Sequence, residues 1–196
     1  MPTNKLKITQ SLLSAWLYSF ELDNGYEKFL NALNKIAEPT NEAMLNGIQF
    51  EGLVNTGIDG QPLDENHKWY QPVKECVELL NGSQKQVSIY KDVVVDGYLF
   101  ELHGILDFLK EGIIYDTKFS KTYHLNKYLH SPQTPMYFCL VPEAYQFTYV
   151  ICDGKYIYKE SYTPDMVQPI EKTIHQFIEY LKQHNLLELY VEKWRI

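Results

Sequence analysis

The middle of the chain constrains the fold most, because its pattern is that of three consecutive β-strands. Two stretches, 87–95 and 98–109, flank Asp96-Gly97, a dipeptide typical of two-residue hairpin turns. Glu111-Gly112 then turns the chain into a third strand that ends at Phe119. Helical periodicity on both sides of these strands predicts an α/β fold, with a mixed central β-sheet flanked by helices.

Apolar side chains at helical spacing precede the strands. Thr9 or Ser11 is placed to cap a first helix. Pro39-Thr40 ends a second helix and caps a third, which carries Gly47 toward the core. We therefore expect residues 1–57 to be helical.

A second hairpin and further helices follow the strands. Ser131-Pro132 is a good helix start, although a start near Tyr123 also fits the pattern. Asp153-Gly154 predicts a hairpin turn, and Pro164 opens a long apolar-striped helix. The expected organisation is one domain, 1–196, with N-terminal helices, a catalytic core and C-terminal helices over residues 1–57, 66–162 and 164–194.

Length and charge limit the kinds of protein this chain can be. With 196 residues and 45% hydrophobic content, the chain can bury a sizeable core, which argues for one ordered domain. The net charge of −7 disfavours a broad basic face for nucleic acid, because phosphate neutralisation normally supplies much of that affinity. Any contact with DNA must therefore be local to one site.

Neither membrane insertion nor cysteine chemistry is indicated. No run approaches the ~20 apolar residues of a transmembrane helix, and the first residues lack the apolar stretch of a secretory signal. We expect an intracellular, cytoplasmic protein with no membrane partner. Cys76, Cys139 and Cys152 lie far apart without a Cys-x-x-Cys pair, which predicts reduced thiols and neither a zinc site nor an iron–sulfur cluster.

Two neighbouring strands carry a set of side chains suited to metal chemistry. Because side chains alternate along a strand, Asp107 shares a face with His103, and Asp116 shares a face with Lys118. If the hairpin brings these faces together, two carboxylates and one ammonium converge. The carboxylates would repel each other, raising one pKa, unless a cation bridges them.

Hard oxygen ligands in this arrangement favour Mg²⁺ or Mn²⁺, as one ion or two, over zinc. Such a site would polarise a scissile phosphate. Lys118 would position or deprotonate the attacking water, or stabilise the transition state.

Three more residues are candidates by their helical spacing. Glu51 lies one turn after Gly47, so we expect that glycine to let the helix approach the sheet while Glu51 reaches the cation as a third ligand. Gln133 and Tyr137 also lie one turn apart, so an amide and a phenol can point together at a phosphate or at the attacking water. Solvated helix residues or ordinary core residues are the alternative for each.

The order of these parts resembles that of a known family. Four elements follow one another along the chain: Gly47 and Glu51, Gly104-Ile105-Leu106-Asp107, Asp116-Thr117-Lys118, and Gln133-Thr134-Pro135-Met136-Tyr137. This order resembles the PD-(D/E)xK nuclease superfamily, and within it the branch similar to the RecB nuclease domain, lambda exonuclease and the CRISPR adaptation exonucleases.

The resemblance implies a restriction-endonuclease-like core of helix, three strands, helix and strand, with Mg²⁺- or Mn²⁺-dependent cleavage of DNA. It also implies metal ligation by Glu51, Asp107, Asp116 and the Thr117 carbonyl, with Lys118 as the catalyst. Leu106 stands where the superfamily has proline, Asp116 replaces the more frequent glutamate, and cluster cysteines and helicase motifs are missing.

Outside this set, the candidates for substrate contact are few. His103 shares the face of Asp107, while Lys121, Tyr123 and Lys127 are placed to line a path for phosphates and bases. A polar loop is the alternative explanation of the last three. The expected function is a metal-dependent deoxyribonuclease, an exonuclease in particular, acting on DNA. The alternative is a catalytically weak nuclease fold that serves as a DNA-binding or assembly subunit of a recombination or phage-type complex, with a protein partner or as a homo-oligomer.

Overall fold

The computed structural model describes residues 5–21 and 23–196. Within these residues one mixed sheet contains six strands, β1 to β6: Lys5–Thr9, Gln84–Val95, Tyr98–Lys110, Ile113–Phe119, Gln146–Cys152 and Ile157–Tyr162. Seven α-helices, α1 to α7, flank it: Gln10–Tyr18, Gly25–Leu33, Glu42–Ile58, Tyr70–Leu80, Gln133–Leu140, Ile170–Gln183 and Leu187–Trp194. The predicted mixed α/β fold is confirmed.

The central strand of the sheet is β3, which has three partners. β2 runs antiparallel to it along nearly its whole length. The other edge of β3 is shared, because β1 pairs in parallel with residues 99–103 and β4 pairs antiparallel with residues 108–110. β4 then pairs in parallel with β5, and β5 pairs antiparallel with β6. Residues 104–107 therefore lie where two strands part from β3.

Both predicted turns of the strand segment are confirmed. Asp96 and Gly97 have φ of 52° and 80°, and Glu111 and Gly112 have φ of 51° and 77°. Positive φ at both central residues matches the right-handed twist of the flanking strands, which is why such dipeptides favour two-residue hairpins. These turns fix the register of β2, β3 and β4.

Helices cover the two faces of the sheet unequally. On one face, a large core cluster joins β1 and β3 to β6 with α1, α2, α5, α6 and α7. On the other face, α3 and α4 pack over β5 and the end of β3, through Phe50, Val54 and Phe108. Alternate side chains of β2 on that second face are exposed, with Tyr90 at 59% and Val94 at 65%. Among the described residues, no helix covers this half of the face.

Several predicted boundaries were wrong. Residues 5–9 form β1 and not helix, because their polar and apolar side chains alternate and Leu6 and Ile8 enter the core. Residues 1–4 and Leu22 of the predicted helical range lie outside the described residues. Thr9 caps α1 as predicted, accepting a hydrogen bond from Leu12 N at 3.3 Å.

Other helix starts also differ from the prediction. Asn41, not Thr40, caps α3, and its side chain accepts a hydrogen bond from Met44 N. α5 begins at Gln133, so the start near Tyr123 was wrong. Pro164 opens only a short 3₁₀ turn, and α6 begins at Ile170. None of the described helices combines the length and apolar composition needed to cross a membrane.

Candidate functional site

The site lies at the fork where β4 parts from β3. Beyond Phe108 and Tyr115 the two strands no longer pair, and the side chain of Asp107 fills the gap. Its Oδ2 accepts hydrogen bonds from Thr117 N at 3.1 Å and from Thr117 Oγ1 at 3.4 Å. The Asp107 carboxylate therefore accepts from the Thr117 N–H, which would have bonded to β3 if the pairing of β3 and β4 had continued.

Asp116 and Lys118 meet on one face of β4, as their spacing predicts. Lys118 Nζ lies 2.6 Å from Asp116 Oδ2, and the Asp116 side chain is only 5% exposed. Asp116 Oδ1 accepts a hydrogen bond from Gln133 Nε2 at the start of α5. Apart from this ion pair with Lys118, Oδ2 has no polar partner among the described residues.

Glu51 approaches the same place from α3, on the opposite side of the sheet from α5. Its Oε1 accepts a hydrogen bond from Gln86 Nε2 at 2.9 Å. Burial raises the pKa of Glu51, and the nearby charge of Asp116 raises it further. The two aspartates and Glu51 are thus close enough for their charges to interact.

The expected role of Gly47 was wrong. A Cβ added at Gly47 would meet nothing within 4 Å, so this glycine does not permit a close approach of α3. Ala43, one turn before Gly47 on α3, is exposed. Close packing occurs at Gly104 instead, where a Cβ would lie 2.3 Å from Tyr137 Cε1 and 2.7 Å from Leu140 Cδ1. Gly104 lets α5, which carries Gln133, lie directly on β3.

Gln133 and Tyr137 have different surroundings. Gln133 is buried and contacts Asp116, in agreement with its predicted position at the site. Tyr137 donates its phenol O–H to Ile105 O at 2.8 Å, beside the fork. Burial, with the charges of Asp116 and Asp107, raises the pKa of Tyr137 to about 12, so the phenol stays protonated at neutral pH.

The electrostatics of the fork are those of crowded carboxylates. Burial, followed by the charges of Asp116 and Glu51, raises the pKa of Asp107 to about 8. For Lys118, burial acts to lower the pKa, but the charge and contact of Asp116 outweigh it and raise the pKa above its ordinary value. At neutral pH without a cation, Asp107 is therefore mostly protonated beside a charged ammonium.

A cation would have to rearrange this set of contacts. Across residues 5–21 and 23–196, no three His, Cys, Asp or Glu side chains are grouped so that they could hold a metal ion. The oxygens of Asp116 face Gln133 and Lys118, and Asp107 faces Thr117. A cation that binds Oδ2 would have to displace the Lys118 ammonium from it.

The predicted substrate-contact residues lie in two places. His103 is on the half of the sheet face that lacks helices, with its Nε2 3.2 Å from Ser88 Oγ. The others lie in the loop between β4 and α5, where each side chain already has an intrachain partner. Lys121 pairs with Glu42, Tyr123 donates to Glu160, and Lys127 donates to Thr122 O.

Two further groups at the site were not found from the sequence. Gln86 lies opposite Asp107 at a break in the β2 and β3 pairing, and its φ of 51° is unusual for a side chain of this kind. The Tyr149 ring lies beneath Lys118, with its centroid 5.9 Å from Nζ, and stacks on Tyr128 at 4.4 Å. Neither belongs to a motif, because only strand pairing brings them to the fork.

Comparisons with known proteins give a match of fold only. No family model and no curated protein matches the sequence. The fold is similar to that in the crystal structure of SSO0001, with a TM-score of 0.50 and 15% sequence identity. The match covers 89% of this chain and 75% of that one. At this identity, the similarity extends to the mixed α/β architecture.

Proposed function

We propose that the chain is a metal-dependent deoxyribonuclease of the PD-(D/E)xK superfamily, from its RecB-like or lambda-exonuclease-like branch, acting as an exonuclease. The observation that carries the proposal is the meeting of Asp107, Asp116 and Lys118 at one fork, with Glu51 reaching it from α3. The element order α3, α4, β2, β3, β4, α5, β5 supports a restriction-endonuclease-like core in which α4 is inserted between the first helix and the strands.

The side chains at the fork supply the carboxylate oxygens that a hard divalent cation prefers, although they would have to rearrange to hold one. Asp116 Oδ2 is buried and contacts the Lys118 ammonium, and burial, with the charges of Asp116 and Glu51, raises the pKa of Asp107. Mg²⁺ or Mn²⁺ would favour the ionised carboxylates and offset their repulsion, since each prefers carboxylate oxygens. Glu51, Asp107 and Asp116 would hold the ion, with the Thr117 carbonyl as a further ligand. The ion would supply Lewis-acid stabilisation of charge on the phosphate.

The remaining residues would act on the substrate and on one another. Lys118, a cation at neutral pH, would stabilise the negative charge that develops on the phosphate and orient the attacking water. Gln133 donates to Asp116 Oδ1 and so would fix the direction of that carboxylate. Tyr137 holds the backbone of β3 at Ile105 and would keep the fork open beside it.

The test is a cleavage assay on purified protein. Linear, circular and single-stranded DNA would be incubated with Mg²⁺, Mn²⁺ or a chelator, using the wild type, Lys118→Ala and Asp107→Asn. We expect metal-dependent loss of linear DNA, with Lys118→Ala lowering turnover by roughly a hundredfold or more while metal binding is retained. Asp107→Asn should lose metal binding and turnover together.

A matched control separates chemistry from unfolding. Lys172 is exposed on α6, which packs against α5 and α7 and contributes no residue to the fork, so Lys172→Ala should cleave DNA as the wild type does. Circular dichroism would check that each variant is folded. Metal-dependent cleavage that persists in both Lys118→Ala and Asp107→Asn would refute the proposed site, and a wild type that cleaves no DNA would refute the activity.

The second candidate function is a nuclease fold with weak activity that serves as an assembly subunit. Its support is an apolar stripe on α3, where Met44, Leu45 and Ile48 are 46%, 57% and 64% exposed. Contiguous exposed apolar side chains of this kind are typical of contact with another protein. Metal binding without cleavage of any DNA tested would favour this function over the first.

A further inference from the structure

The half of the sheet without helices leads directly to the fork. We define the open face as six side chains in three successive cross-strand positions: Tyr90 with His103, Ser88 with Ile105, and Gln86 with Asp107. The first two positions are paired in register, and the third is the break where Gln86 contacts Glu51. The two strands therefore form a continuous surface that ends at the candidate ligands.

Tyr90 and His103 form a flat aromatic pair at the far end of the open face. Their ring centroids are 4.2 Å apart and their planes differ by 7°. Ser88 holds His103 through the contact at 3.2 Å, which fixes one ring against the other. Tyr90 is nevertheless 59% exposed, so its second ring face is open to solvent. A rigid, exposed π-surface of this kind suits stacking by a planar ligand.

The spacing relates this pair to the fork. Asp107 follows His103 by four positions along β3, which corresponds to about 13 Å in an extended strand. Only the short side chain of Ser88 and the side chain of Ile105, 46% exposed, lie between them. A linear ligand lying along β3 with a phosphate at the fork would therefore place another of its repeating units over the rings.

The charge around the rings indicates which part of such a chain is recognised. Lys5 pairs with both Asp92, at 2.7 Å, and Glu101, at 2.6 Å, so its charge is already compensated. Lys7, in register with Glu101 and close enough for its charge to act on His103, supplies one positive charge beside the rings. The whole chain carries a net charge of −7, which disfavours binding through many phosphates. Stacking on the aromatic rings is therefore the larger contribution expected here, and every base has a π-face.

We propose that Tyr90 and His103 form a stacking platform for a base of single-stranded DNA whose backbone reaches the fork. The proposal rests on the proposed deoxyribonuclease function and narrows its substrate, since a base within a duplex cannot leave its neighbours to stack on the ring without unpairing. The strand that is cut must therefore be single-stranded for a short distance beside the scissile bond.

The test is equilibrium binding of a labelled oligothymidylate, measured by fluorescence anisotropy in Mg²⁺. A phosphorothioate backbone would prevent hydrolysis during the measurement. The variants are Tyr90→Ala, Tyr90→Leu, which keeps an apolar side chain, and Tyr90→Trp, which keeps an aromatic face. The matched control is Tyr156→Ala, because Tyr156 is 64% exposed but lies in the turn before β6.

Loss of stacking predicts about tenfold weaker binding for Tyr90→Ala and Tyr90→Leu, and binding close to wild type for Tyr90→Trp and Tyr156→Ala. The same backbone without bases should bind to the wild type and to Tyr90→Ala equally. Equal affinity of all variants for oligothymidylate would overturn the platform. Wild-type protein that binds no oligothymidylate would overturn it too, and would leave a protein partner as the occupant of this face.

A parallel cleavage assay separates this proposal from the one on which it rests. Wild-type protein that cleaves no DNA would refute the nuclease function itself. Equal rates of single-stranded DNA cleavage by the wild type and Tyr90→Ala, measured at limiting substrate, would refute the platform. The nuclease function would then still hold.

Discussion

The crowding of carboxylates at the fork predicts that the metal-free protein loses stability as the pH rises. The pKa of Asp107 is raised to about 8 by burial and by the charges of Asp116 and Glu51, whereas an aspartate in the unfolded chain has a pKa of about 3.9. Between these values the native state binds a proton that the unfolded state has released. The stabilisation is complete below about pH 3.9 and is lost as the pH rises through about 8.

The size of the effect follows from the same two values. Each pH unit in this interval lowers the free energy of unfolding by about 1.4 kcal/mol, so the interval from about pH 5 to about pH 7.5 corresponds to about 3 kcal/mol. Asp107→Asn keeps the shape of the protonated side chain but cannot ionise. The variant should therefore lack this part of the pH dependence and, at the higher pH, be more stable than the wild type.

Urea unfolding in a chelating buffer, followed by tryptophan fluorescence, measures the difference directly. The free energy of unfolding of the wild type, relative to that of Asp107→Asn, should fall by about 3 kcal/mol between about pH 5 and about pH 7.5. Asp23→Asn, at an exposed position of the connection between α1 and α2, controls for a change of one aspartate elsewhere. A difference that stays constant with pH would show that Asp107 is ionised at neutral pH, and the crowding argument would fail.

Three other predictions concern packing, orientation and metal affinity. Gly104→Ala forces a Cβ against Tyr137 and Leu140 and should lower the free energy of unfolding by about 1–3 kcal/mol. Gly47→Ala, with open space around it, should raise the free energy of unfolding by up to about 1 kcal/mol. Thermal melts that rank the two variants the other way would contradict the assigned packing. Gln86→Gly relieves the positive φ but removes the hydrogen bond to Glu51. The free energy of unfolding should therefore stay unchanged, while the affinity for Mn²⁺ should fall severalfold in isothermal titration calorimetry. An unchanged affinity would mean that Glu51 does not need Gln86 to bind the ion. Since Asp107 must lose its proton to bind a cation, Mn²⁺ affinity of the wild type should rise about tenfold per pH unit from about pH 6 to about pH 8, and a flat titration would contradict this.

The strands and their acids were predictable because the determining signals are local. Asp96-Gly97 fixes the register of β2 on β3, and the period of two along β4 then puts Asp116 and Lys118 on one face. The same local reasoning failed for Gly47, where helical spacing was mistaken for close packing. Helical spacing shows which side chains share a stripe, but not what lies opposite them.

Residues that act across the sheet gave no usable signal. Gln86 is one polar residue in an alternating strand, and its contact with Glu51 joins positions 35 residues apart. Gly104 meets Tyr137 only because α5 crosses β3 after an intervening loop. Such contacts depend on tertiary packing, which a window of neighbouring residues does not contain.

The strand that the sequence analysis missed is the one that opens the site. β2 occupies one edge of β3, so the other edge is available to both β1 and β4. β1 takes residues 99–103 of that edge and β4 takes residues 108–110, so residues 104–107 of β3 lie between the two. β4 diverges there toward β5, with which it pairs through Phe119, and Thr117 N donates to a carboxylate in place of a strand partner. The five residues of β1 therefore limit how far β4 could extend along β3, although none of them is a candidate ligand.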